Sequence, residues 1–161
     1  MFVRYFVELP LAHEIVAERL EADPQSWLPP IAGSASEDGE ALLAEVGFGE
    51  RPRIARRVVV ETGTVAHLGG TTVLPFTWMA SSGAALFPRL AADLEVAPIL
   101  PTRTQLAISA VYEPPPGLVC RAADGALLHR VAEATLKDFL ERVATRLAER
   151  AGDERPASVS G

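Results

Sequence analysis

The side chains best suited to proton transfer, nucleophilic attack or metal binding are three histidines, one cysteine and scattered carboxylates. A zinc-type site gathers about four His, Cys or carboxylate ligands in recognisable spacings. His13, His67 and His129 are spread along the whole chain and Cys120 stands alone, so neither a metal nor another cofactor is expected. Cys120 has no neighbouring base and reads as a small apolar packing residue. His13 falls on the polar side of a helical segment, and His67 precedes Gly69-Gly70 as a turn residue. His129 lies one position off an apolar helical stripe, which describes a boundary residue better than a general base. No base with an orienting partner is visible. Asp93 and Glu95 share parity on a strand and belong to its wet face. Gly69-Gly70 leads into a strand, so it lacks the helix-start amides that cradle phosphate.

Aromatic residues are a different resource, because a ring lining a cavity offers large apolar contact and Trp and Tyr add a polar tip. Phe76 and Phe87 read first as core, whereas Trp78 and Tyr112 lean toward a pocket. Arg56 shares parity with Val58 and Val60, but an exposed strand end describes it better than a counter-charge for an anionic ligand.

Positioning these residues falls to a strand, two short helices, a run of strands and one long helix. Phe2 to Leu9 alternates as a first strand closed by Pro10. Leu11, Ile15, Val16 and Leu20 repeat at helical spacing. Asp23-Pro24 then reads as the start of a second short helix holding Trp27 and Leu28, stopped by Pro29-Pro30. Gly33 to Gly39 is expected to be an exposed loop. From Ala41 the period becomes two, with strands expected at 41–48, 53–62, 64–68, 71–80, 87–98 and 102–112. Connections this short exclude parallel crossovers and favour an antiparallel meander. Parity places Leu74, Phe76, Trp78, Leu90, Leu94, Ile108 and Tyr112 on one inward face. The proline run 114–116 and Gly117 end the sheet. The final helix begins just after Gly117 or at Asp124 and runs to about Arg150, with Leu128, Ala132, Leu136, Phe139, Val143 and Leu147 facing inward.

The composition, with 48% hydrophobic and 22% charged residues in 161, supports one domain over 1–150, followed by a disordered tail at 151–161. A net charge of −6 leaves no basic face for a phosphate backbone, so nucleic acid is not an expected partner. No apolar run approaches the ~20 residues of a membrane span. Arg4 and Glu8 within an alternating segment do not suit a signal peptide. A single cysteine fits a reducing, cytoplasmic setting.

This order of elements resembles the helix-grip fold of the START and birch-pollen-allergen (SRPBCC) superfamily, which includes polyketide cyclases. The local marks are Leu74-Pro75-Phe76-Thr77-Trp78, the segment Leu86 to Glu95, Tyr112-Glu113-Pro114-Pro115 and Leu128-His129-Arg130-Val131-Ala132-Glu133. The resemblance implies an α+β helix-grip fold, with a seven-stranded curved antiparallel sheet, two short helices and a long C-terminal helix. It further implies a small hydrophobic or amphipathic ligand, such as a lipid or polyketide, held between sheet and helix. Phe76, Trp78, Phe87, Leu90, Leu94, Ile108, Tyr112, Leu128, Ala132 and Leu136 are the expected lining. Two other readings are a cyclase or aromatase in which one polar group moves protons, and an interaction module whose cavity is filled by its own side chains.

Overall fold

Alternating apolar and polar residues form strands because successive side chains leave a pleated backbone on opposite faces. In the computed structural model, which describes residues 1–46, 57–80, 89–114 and 125–149, that alternation yields a six-stranded sheet. β1 (Phe2–Leu9) is followed by α1 (His13–Glu21) and α2 (Pro24–Glu45). Next come β2 (Val58–Thr62), β3 (Ala66–Leu68), β4 (Thr71–Ala80), β5 (Arg89–Leu100) and β6 (Arg103–Tyr112), and then α3 (Gly125–Glu149). The strand order is β1-β6-β5-β4-β2, with β3 also on β4, and every pairing is antiparallel. The expected tail at 151–161 and the expected starts of α3 lie outside the described residues. Among the described residues no helix is long and apolar enough to cross a membrane.

Two local details show how the sheet is built. Gly69 and Gly70 both have positive φ, 56° and 85°, which lets a two-residue turn join β3 to β4 at low steric cost. Pro75 sits in the middle of β4, where a missing amide would ordinarily break a ladder. Its carbonyl accepts from Gly63 N–H at 2.7 Å, so its amide side faces the gap between β2, which pairs with residues 76–80, and β3, which pairs with 71–73. The proline therefore occupies the place where β4 loses least.

The stretch from Trp27 to Glu45 overturns the expectation of a short helix, a loop and a strand. α2 is one helix of 22 residues that passes through Pro29, Pro30 and the whole Gly33–Gly39 segment. Ala41 to Glu45 is its last turn rather than the start of a strand, so the sheet has six strands among the described residues instead of seven. The prolines forfeit the ladder bonds to the Gln25 and Ser26 carbonyls. Burial of Trp27, Leu28, Ala32, Ala35 and Leu43 offsets that loss. Asp23 does precede the helix, but in the left-handed region (φ 46°) and without a side-chain cap bond.

Ala32, Ala35, Ser36 and Gly39 are small, buried and spaced at i, i+3, i+4, i+7, forming a flat stripe that lets α2 lie close to α3. A Cβ on Gly39 would collide with Oγ1 of Thr135 and stand 2.9 Å from its Cγ2. This contact explains why α3 buries Val131, Thr135, Leu140 and Ala144 beside the expected inner stripe: one flank meets the sheet and the other meets α2. Arg142 of α3, held by Asp138 one turn back on the same helix, ties the two helices by its ion pair with Asp38 of α2. Arg19 donates to the Leu147 carbonyl at 2.7 Å, satisfying one of the last acceptors of α3.

Candidate functional site

Register brings the inward side chains into rows across the sheet. Val60, Trp78, Leu90 and Tyr112 form one row, and Leu74, Leu94 and Ile108 form another deeper in. α3 covers them with Leu128, Ala132, Leu136 and Phe139, and all belong to one apolar cluster with Phe76. Of the ten expected lining residues nine therefore converge, and the tenth, Phe87, lies outside the described residues, as do Arg56 and Cys120. The Phe139 ring lies 5.7 Å from both Phe76 and Trp78 in tilted contacts, so an aromatic trio sits under the helix. Grooves formed by described residues lie elsewhere: about 490 Å³ on the outer sheet face, and about 380 Å³ between β1 and α3.

The row ends in a chain of polar groups leading from the core to solvent. The Tyr112 side chain is 1% exposed, and its hydroxyl donates to Met1 Sδ at 3.1 Å. The same oxygen lies 3.5 Å from His129 Nδ1, the outer limit of a hydrogen bond. His129 Nε2 stands 3.3 Å from Glu133 Oε1, one helical turn on, where side chains are 37% and 53% exposed. Burial, and then the nearby Glu133 charge, push the Tyr112 phenol above its ordinary value of 10.0. It therefore stays protonated at neutral pH and can donate to an oxygen, with an imidazole and a carboxylate behind it.

The sequence reading found no base with an orienter, and this cluster corrects it. His129 and Glu133 are four apart on a helix, a spacing legible without coordinates. Tyr112 joins them only because the end of β6 and the first turns of α3 meet. The other histidines are structural: His13 Nε2 lies 3.2 Å from the Val96 carbonyl, and His67 lies between Thr72 and Glu21. Glu95 takes Arg4 at 2.9 Å and Ser109 at 2.8 Å on the outer face, where parity put it. Among the described residues no group of three His, Cys, Asp or Glu is placed to hold a metal.

Among solved structures the chain is similar to a conserved protein from Geobacillus kaustophilus, with 15% identity, 92% of this chain and 96% of that one covered, and a TM-score of 0.54. It is also similar to Zhui aromatase/cyclase from Streptomyces sp. R1128, with 16% identity, 100% and 98% coverage and a TM-score of 0.48. A third is Ara h 8.0201, with 8% identity, 92% and 98% coverage and a TM-score of 0.42. No family model and no curated protein matches the chain. At these identities the likeness speaks for the fold. An antiparallel sheet packed on a long C-terminal helix, with two helices between its first two strands, is the helix-grip fold, and this chain has it.

Proposed function

We propose that the protein binds a small hydrophobic or amphipathic molecule, such as a lipid or polyketide, between the sheet and α3. The observation carrying this reading is the row Trp78–Leu90–Tyr112 under α3, an apolar wall that ends in a buried hydroxyl donor. Such a wall contributes about 25 cal/mol per Å² of ligand surface buried, and the phenol adds orientation by meeting a carbonyl or carboxylate oxygen. A ligand entering there has to part the Phe76–Trp78–Phe139 rings, so Trp78 reports its arrival. The single cysteine suits a cytoplasmic setting.

The test is a titration of the Trp27→Phe variant, whose remaining indole is Trp78, with a fatty acid and with an aromatic polyketide-like compound. Binding shifts the emission and raises the melting temperature, with a Kd in the range of about 1 μM after association costs. If a chemically broad panel moves neither, the aromatic trio is a permanent filling and the interaction-module reading takes its place.

A cyclase or aromatase-type enzyme is the second reading, and the Tyr112–His129–Glu133 chain favours it. In that case the attacking carbon reacts as its enol, whose O–H proton leaves to solvent as the carbon–carbon bond forms, the phenol donates its proton to the ketone oxygen where charge develops, and His129 passes a proton from solvent back to the phenolate. Turnover of a poly-β-ketone by the parent, lost in both Tyr112→Phe and His129→Ala, establishes it; no turnover by the parent leaves the binding reading in place.

A further inference from the structure

β1 is a terminal strand of the sheet, paired with β6 on one side and with no other described strand on the other. Which backbone groups face its free rim follows from one pair. Tyr112 N–H donates to the Met1 carbonyl at 2.9 Å, and Met1 N donates back to the Tyr112 carbonyl at 2.6 Å. Bonded pairs alternate along an antiparallel ladder, so Val3, Tyr5, Val7 and Leu9 bond to β6. The amides and carbonyls of Phe2, Arg4, Phe6 and Glu8 point away from it. Their side chains lie on the outer face, where Phe2 is 59% and Phe6 55% exposed. Sheet edges are ordinarily blunted by short strands, bulges or repelling charges. This one is eight residues long, unbulged, aromatic, and carries opposite charges at Arg4 and Glu8.

We propose that β1 pairs antiparallel with β1 of a second copy of the chain across a two-fold axis at Phe6, continuing the sheet through the dimer. Only rim-facing residues can exchange ladder bonds, which restricts the axis to Phe2, Arg4, Phe6, Glu8 or the inward residues between them. An axis at Arg4 sets arginine against arginine, and an axis at Tyr5 sets Arg4 against Phe6. The axis at Phe6 is the one that puts Arg4 opposite Glu8 twice, with the two Phe6 rings side by side. Within one chain Arg4 is held by Glu95 at 2.9 Å and Glu8 by Arg103 at 3.5 Å. About half of each side chain remains exposed, so both can take a second partner. On the inner side a groove of about 380 Å³ runs between β1 and α3, walled by Val3, Tyr5 and Ala134 together with the charged Arg130, Glu133 and Lys137 of α3.

Sedimentation equilibrium and native mass spectrometry on the full chain test this. The parent is expected to be a dimer at micromolar concentration. Arg4→Glu sets glutamate against glutamate twice, and Glu8→Arg sets arginine against arginine twice, so each variant alone dissociates with a Kd at least tenfold higher. Mixed together, the two variants restore both opposite-charge pairs and form a heterodimer. Val111→Glu, on the outer face of β6 away from the rim, leaves the dimer intact. Circular dichroism of each variant confirms that it is folded before its mass is interpreted. A monomeric parent at 100 μM (about a hundredfold above the range expected for a specific μM dimer), a dimer indifferent to both substitutions, or folded single variants that fail to associate on mixing overturns the proposal.

Discussion

Replacing Gly39 by alanine separates a helix packed against α3 from the exposed loop that its composition suggests. A loop glycine of ordinary φ changed to alanine gains about 0.4–1 kcal/mol, because the unfolded chain loses freedom. Within α2 the substitution gains about 1 kcal/mol of helix propensity, but the new methyl meets Oγ1 and Cγ2 of Thr135. Thr135 cannot simply rotate away, since its hydroxyl donates to the Val131 carbonyl at 2.8 Å and the residue is buried. Overpacking of this kind costs about 1–3 kcal/mol, and the lost hydrogen bond adds about 1 kcal/mol. The net expectation is a destabilisation of about 1–3 kcal/mol, or roughly 2–12 °C in Tm at this chain length. Urea denaturation followed by tryptophan emission measures it. Thr135→Ala in the same chain removes the obstructing atoms, so the double variant recovers at least ~1 kcal/mol relative to additivity. A Gly39→Ala protein as stable as the parent, or more stable, refutes the close approach of α2 and α3.

Phe139→Ala removes the ring that packs on Phe76 and Trp78 and is expected to cost about 3–5 kcal/mol; a loss below about 1 kcal/mol in the same assay contradicts its burial. The Tyr112 phenol has a folded pKa above its unfolded value of 10.0, so the folded state holds its proton longer than the unfolded chain does. Its contribution is whole below pH 10 and is lost as pH rises through the folded value. Stability measured from pH 8 to 11 therefore falls more steeply in the parent than in Tyr112→Phe, and identical slopes remove the argument from burial.

Strand signals were legible where one face is buried and the turns are short. β4 runs from Thr71 to Ala80 as its alternation implies, and parity assigned the inward sets of β5 and β6 because, among the described residues, one face of this sheet is buried and the other exposed. α2 was hidden for a physical reason. Pro29-Pro30 and the Gly33–Gly39 stretch are local signals against a helix, whereas what holds α2 together is tertiary: a smooth flank pressed against α3. The readable clue was the spacing of Ala32, Ala35, Ser36, Gly39 and Leu43, which carries meaning once small residues count as a packing surface as well as loop formers. That Leu74, Phe76, Trp78, Leu90, Leu94, Ile108 and Tyr112 face the buried apolar cluster was legible from strand parity, and that Leu128, Ala132 and Leu136 join it from helical spacing. The polar end was half legible, as His129 and Glu133 lie on one helix while Tyr112 reaches them across a contact between separate elements.

The hidden helix and the polar end both meet α3. Thr135, the residue against Gly39, lies six positions along α3 from His129, roughly 9 Å by helical rise. A shift of α3 by a few tenths of an ångström, the scale on which an added methyl is accommodated in a packed interior, acts on both points of a rigid helix. The Tyr112–His129 distance of 3.5 Å is already at the limit for a hydrogen bond, so displacement away from the sheet breaks it and displacement toward the sheet strengthens it. α2 packs on α3 at Gly39 and Thr135, so a change at that contact is expected to be felt at the Tyr112–His129 contact on the same helix. A ligand of the proposed kind, entering between Phe139 and Trp78, is expected to press on the same helix.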